Sequence, residues 1–560
     1  MTTLEKEAKA LSCEFIENEG QYRLGFIEAE RSNPKTIDLG GTFVRSTEDG
    51  LRMLLDVDRD LTELYAKTLW SDAFSEFSDD VYCALIGKKK IYLSGCGSSG
   101  RLSMRLEASF REAVRNNPAL SEYADSVYEI MTGGDYAIIR AVESAEDYTA
   151  LGAAQARDAG VGEGDILIGV TATGETTSVL GTAKEALEAG AKVYMVVCSD
   201  PDEMLGKLKR ADDVYKHENC KSIYLKCGPM ALTGSTRMQS SSIEQAVIGS
   251  ALELALGEIS SDGITREERI DSLIRGFSEC IELLLSDEGI ASMTEQTDKE
   301  TELYLRGGHV TYFADEYILD VLADTTERGP TFTTPPFRPR SWSNDPISWA
   351  FVKKPFLDTA GAWESLFGRL PRCLDKTEAE YRNMGILDED IKKIPNISID
   401  ALYQFEIGRE EDPEREGEGS LATWVALAGD APSEFLEIAK RYEGLSILTL
   451  GSKGIKTGTR MKLFSHLAMK MAINAVSTGT MAKMGRIFGN YMVHLNISNK
   501  KLIDRATRII SDLCQVDYEK ANYELFLSSL ILKSRSIERS TTIETVERLG
   551  LKIGDGKYDN

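Results

Sequence analysis

The sequence predicts an α/β protein built from two doubly wound, parallel-sheet domains in tandem. Three observations predict it: the length, a strict alternation of strand-like and helix-like segments, and a short string that recurs after a strand in each half. At 560 residues the chain is several times the usual domain length. With 42% hydrophobic and 28% charged residues and only 14 prolines, its composition is that of a globular protein with large cores.

Apolar residues recur at helical spacing from Arg52 to Leu85, and the short run Ile91–Leu93 then reads as a strand. A helix is expected over Leu102–Val114, a strand over Val127–Met131 and a helix over Asp147–Asp158. A strand over Asp165–Val170, a helix over Thr176–Ala189 and strands over Lys192–Val197 and Ile223–Lys226 follow, before a helix from Thr236. Such alternation implies a parallel sheet covered on both faces. The pattern restarts with strands at His309–Phe313 and Leu421–Leu427, a helix over Ser433–Tyr442, a strand at Leu445–Leu450 and a long helix from Thr459. The segment Thr331–Pro346, rich in Pro and Trp, and the acidic run Arg409–Glu418 read as loops.

Duplication has a sharper sign. Thr233-Gly-Ser-Thr-Arg-Met238 follows one strand, Thr457-Gly-Thr-Arg-Met461 follows another, and each opens a helix. The expected division is a helical N-terminal segment (1–50), a first domain carrying the ligand site (51–270), a second domain (271–485) and C-terminal helices (486–560).

The formal charge of -25 argues against nucleic acid and anionic membranes as partners. Nine scattered cysteines without a C-x-x-C pair fit reduced thiols and a cytoplasmic location. The N-terminus lacks an apolar signal core, and no apolar run is long enough to span a bilayer. The four histidines, at 217, 309, 466 and 494, are not spaced as metal ligands, so no metal and no cofactor are expected.

Gly95-Cys-Gly-Ser-Ser-Gly-Arg101 follows a strand and opens a helix, where free amides, Ser98 and Ser99, and the helix dipole attract an anion. Gly97 and Gly100 let the backbone approach a ligand; the same string would equally make a tight turn. Thr171-Ala-Thr-Gly-Glu-Thr176 is a second hydroxyl-rich turn, where Thr171, Thr173 and Thr176 serve as ligand donors or as helix caps. Ser235 and Thr236 supply a third. Three such turns suit the phosphate of a small molecule.

Gly95–Leu102, Gly133-Gly134-Asp135-Tyr136-Ala137 with Ala141–Asp147, and Leu232–Met238 resemble consecutive signatures of N-acetylmuramic acid 6-phosphate etherase. Ile473–Gly479, Gly489-Asn490 and Leu495–Asn499 resemble that enzyme and the glucokinase regulatory protein together. Length, duplication and Glu327-Arg-Gly-Pro-Thr-Phe332 tilt the likeness towards the latter. The resemblance implies two sugar isomerase (SIS) type, flavodoxin-like domains with a C-terminal helical lid, and a hexose or amino-sugar 6-phosphate as ligand. It also implies a sensor with little or no catalysis and a regulated partner such as a sugar kinase. It places Ser98, Ser99, Thr171, Thr173, Ser235 and Thr236 on the ligand. Glu146 matches a glutamate that acts as general base or contacts sugar hydroxyls, and Lys470 a lysine that reaches the phosphate. Without the resemblance, Glu146 reads equally as an exposed carboxylate and Lys470 as a solvated helix residue.

One departure bears on activity. The etherase's second catalytic glutamate, which protonates the departing oxygen, aligns with Ser109, and a serine is a poor general acid. The alternatives are therefore an etherase-type lyase using Glu146, with its acid from water or Glu107, and a sugar-phosphate isomerase. After His309–Phe313 stands Ala314-Asp-Glu316 instead of a glycine–serine turn, so one ligand site is expected rather than two.

Overall fold

A computed structural model describes residues 1–551 except 143, 144, 393, 395, 453, 496, 498 and 538. Parts of two strings quoted above, at 143–144 and at 496 and 498, lie outside the described residues.

The first sheet contains β1 (Ile91–Gly95), β2 (Val127–Met131), β3 (Ile166–Val170), β4 (Lys192–Val197) and β5 (Cys220–Tyr224). They run parallel in the order β2-β1-β3-β4-β5. β1 and β3 are buried along their whole length, as continuous apolar strands covered on both faces must be. The second sheet contains β6 (His309–Ala314), β7 (Ala350–Lys353), β8 (Gly417–Val425) and β9 (Tyr442–Leu448), also parallel, in the order β7-β6-β8-β9. It repeats the first order without a fifth strand among the described residues. Two doubly wound parallel-sheet domains are thus present.

The differences from expectation fall where local pattern is weakest. β7 was not expected: four residues after a proline-rich segment make too short a signal. β8 starts inside the acidic run, at Gly417. β5 and β9 each begin three residues earlier than expected; both are edge strands with mixed burial, where apolar periodicity does not mark the ends. The expected helix over Arg52–Leu85 is two helices, Thr47–Leu69 and Asp72–Ile86, because Ser71 caps the second through the Phe74 amide. The helices expected from Thr236 and Thr459 begin at Gln239 and Leu463, after the recurrent strings have served as turns. These two helices pack together, buried almost all round, at the centre of the molecule.

The helix Arg266–Leu285 runs across the expected 270/271 division. At the other end, Thr3–Asn18 packs on the C-terminal helix Tyr518–Arg535, with Ser12 donating to Asn522 at 2.7 Å. No helix among the described residues is long and apolar enough to cross a membrane.

Candidate functional site

The C-terminal ends of β1 and β3, the turn before Gln239 and the lid helix Lys500–Cys514 enclose a cavity of about 130 Å³. A single ordered water needs roughly 10–15 Å³ on this measure, so the space suits a small polar metabolite.

The first wall is the turn after β1. Cys96 is extended and Gly97 has φ +54°, so the chain turns sharply into the helix Gly97–Arg115, whose first-turn amides have no partner within the helix. A side chain at Gly100 would stand 2.0 Å from the Met131 sulfur, which explains the glycine. Ser98 lines the cavity, and its hydroxyl makes no hydrogen bond among the described residues. Ser99 also lines it, and donates to Glu244 at 3.3 Å. Glu244 is fully buried, and burial pushes its carboxyl up to about 8, against Ser99 and Lys470, which lower it.

Thr173 and Thr176 bring the turn after β3 into the lining, and Ser235 and Thr236 the third turn. Glu146 stands on the lining with a fifth of its side chain exposed. Three expected ligand residues lie elsewhere. Gly100 is folded against β1 and Met131; Thr171 is buried, its hydroxyl engaged with that of Thr176 at 2.8 Å. Lys470 is buried rather than solvated. Its ammonium donates to the carbonyls of Arg237 and Met238 at 2.6 and 3.3 Å and to Ser242 at 2.8 Å, holding the third turn from behind. Burial pushes it down to about 7, against the charge of Asp58.

Five charged lining residues were not among the expected contacts: Arg101, Arg237, Glu327, Lys501 and Arg505. Arg101 and Arg237 sit inside the quoted strings, so proximity to the turns could have flagged them. Glu327 comes from the second domain, on the helix Ile318–Phe332, and pairs with Arg101. Lys501 and Arg505, one turn apart on the lid helix, carry no local signal. Lys501 lies 3.7 Å from Glu146 and 4.0 Å from Glu175. Burial disfavours its charge, but Glu146 and Glu175 outweigh that and raise its pKa. Arg505 comes so close to the third turn that a side chain at Gly234 (φ +70°) would meet its Nε at 2.6 Å. It also pairs with Glu30 at 2.7 Å, and Arg508 does the same, so the N-terminal arm holds the lid down.

Ser109 is buried in its helix and does not line the cavity; nor does Glu107. Glu107 is saturated by Arg111 at 2.9 Å, Arg369 at 3.1 Å and Arg372 at 2.8 Å, which removes it as a substitute acid. In the second domain Asp315 and Glu316 pair with Lys354 and Lys462. Among the described residues no group of three or more His, Cys, Asp or Glu side chains could hold a metal ion.

Two family models match the chain: the glucokinase regulatory protein N-terminal SIS domain over residues 79–187, and the C-terminal lid domain of glucokinase regulatory protein over residues 489–548. N-acetylmuramic acid 6-phosphate etherase from Pectobacterium atrosepticum is 30% identical over 246 residues, covering 43% of this chain and 74% of that protein. The protein of that name from Serratia proteamaculans is 32% identical over 226 residues, 40% of this chain and 68% of that one. N-acetylmuramic acid 6-phosphate etherase 1 from Bacillus licheniformis is 29% identical over 239 residues, 42% and 71% of the two chains.

Proposed function

This chain belongs to the family that holds the N-acetylmuramic acid 6-phosphate etherases and the glucokinase regulatory protein, and from that premise we propose that its cavity binds a hexose or amino-sugar 6-phosphate, with Glu146 as general base. One observation carries the reading: three hydroxyl-bearing turns and the two lid cations Lys501 and Arg505 converge on a single cavity that also contains Glu146. Turn amides, the unspent Ser98 hydroxyl and the cations suit a phosphate dianion. Glu146 suits a sugar carbon or hydroxyl beside it. An etherase-type lyase is the activity this arrangement fits best.

The regulatory reading has its own support in the lid. A ligand touching Lys501 and Arg505 couples its presence to the seating of the C-terminal helices and of the N-terminal arm bound through Glu30. A protein partner such as a sugar kinase could read that seating, in the cytoplasm, where nine free cysteines are stable.

The test is calorimetry and thermal shift with N-acetylmuramic acid 6-phosphate, N-acetylglucosamine 6-phosphate and fructose 6-phosphate, each beside its unphosphorylated sugar. A phosphorylated ligand at 100 times its Kd is expected to add about 2.7 kcal/mol of stability. Equal shifts from phosphorylated and free sugars overturn the reading.

A further inference from the structure

Residue spacing and helix packing point to an internal pseudo-two-fold axis between the two domains. His309, which opens β6, stands 218 residues after Ile91, which opens β1. The helices that follow these strands, Gly97–Arg115 and Ile318–Phe332, pack together. Between them is a small cavity lined by Ser98, Arg101, Leu102 and Arg105 from one helix and by Leu319, Asp320, Ala323 and Asp324 from the other. Three pairs among them, Arg101 with Leu319, Leu102 with Asp320 and Arg105 with Ala323, are again 218 apart. Residues that face their own counterparts mark a two-fold axis. At the same spacing, the counterpart of Ser109 is Glu327.

About such an axis, the helix of each repeat reaches into the cavity of the other. Ile318–Phe332 brings Glu327 to the ligand cavity of the first domain. Gly97–Arg115 instead turns Ala108 and Glu112, on either side of Ser109 in sequence, to the cleft beside the β6 turn. Ser109 lines neither space, whereas its counterpart Glu327 brings a carboxyl group into the ligand cavity.

We infer that Glu327 is the proton donor of this site, so that the first repeat supplies the base and the second the acid. The inference rests on the sugar-phosphate reading above. The substrate class is a 3-O-ether of an amino-sugar 6-phosphate in its open-chain aldehyde form, whose C2 proton is acidic. Glu146 takes that proton and the electron pair forms the C2–C3 double bond. The C3–O bond breaks, and Glu327 delivers its proton to the departing oxygen, releasing a hydroxy acid. Water then adds: its proton returns to Glu327, its oxygen to C3, and Glu146 gives its proton back to C2. One water is consumed and both carboxyl groups are restored. Arg101 holds Glu327 in place and also donates to the Ala137 carbonyl at 2.7 Å. A carboxylate on the leaving group that takes Arg101 frees Glu327 from that pairing to meet the departing oxygen, which selects ethers of hydroxy acids.

The test uses the full chain and N-acetylmuramic acid 6-phosphate, read by calorimetry, by D-lactate release and by solvent deuterium entering C2. The unmodified protein is expected to release lactate with a bell-shaped pH profile. Glu327→Gln should bind the ligand and still exchange the C2 proton, yet release lactate about 10²–10⁴-fold more slowly and lose the high-pH limb. Ser109→Glu should give no gain. Ligand bound without lactate release, release by Glu327→Gln at the unmodified rate, or a gain from Ser109→Glu overturns the role of Glu327 and leaves the sugar-phosphate site standing. Binding of no sugar phosphate overturns both. If Glu327→Gln does not fold, Glu327→Asp keeps the carboxyl group and shortens its reach; release should slow more than exchange, and equal slowing overturns the assignment.

Discussion

Lys501, on the C-terminal lid helix, lies 3.7 Å from Glu146, some 350 residues earlier in the chain and in the first domain. A cation beside the proposed base ties lid closure to the chemistry of the site. It adds positive charge where an anionic ligand would enter.

Lys501→Met is therefore expected to weaken binding of a sugar 6-phosphate by about 10–100-fold, the loss of one charged hydrogen bond worth about 1.5–3 kcal/mol. Calorimetry on the folded variant measures it. An unchanged Kd would remove the lid from the ligand site.

Glu244, behind Ser99, sets a pH dependence. The unfolded chain gives up this proton near the ordinary value of 4.5, whereas the folded protein keeps it up to about 8. Between those limits the folded state binds more protons, so this group's contribution to stability falls as pH rises. Across that window the unmodified protein should lose about 1.4 kcal/mol per pH unit relative to Glu244→Gln. Parallel denaturation series from pH 5 to 8 check the sign; a constant gap between the two proteins refutes it.

Arg369 ties the segment between β7 and β8 to the first domain. It meets Glu107 at 3.1 Å, Glu129 at 2.7 Å and Asp135 at 2.6 Å, all three buried. Burial, reinforced by Asp135, pushes Glu129 upward, so the cluster is already rich in negative charge. Arg369→Ala leaves buried carboxylates without their cation and should cost about 3–5 kcal/mol in urea unfolding. Arg369→Lys should recover only part, because one ammonium cannot serve three carboxylates as a guanidinium fork does. A loss below about 1 kcal/mol would show that the cluster relaxes into water.

Much of the fold was legible in the sequence. β1, β2 and β4 stand at or within a residue or two of their expected places, because buried parallel strands are short apolar runs bounded by turn residues. Edge strands lack that contrast, which is why β7 was missed and the starts of β5 and β9 were misplaced. At the cavity, Ser98, Ser99, Thr173 and Thr176 come from turns that directly follow strands, where the local chain already dictates a turn, and Ser235 and Thr236 from the turn that opens the helix at Gln239. Lys470 shows the limit. It lies on the expected long helix, but its burial depends on a second helix packed across it.

By itself the sequence determined the two doubly wound domains and pointed to their duplication and to the hydroxyl-rich turns, all of which follow from periodicity and short strings within one segment; Glu146 was reached only through the family resemblance. The tertiary structure alone decided which charges share the cavity. Arg101, Glu327, Lys501 and Arg505 come from two domains and a lid, and Ser109, placed by alignment beside the chemistry, faces away from it. The physical reason is that burial and electrostatic partnership are properties of the space between elements. A helix periodicity states which residues share a face, and only the docking of that face against another repeat states what it meets.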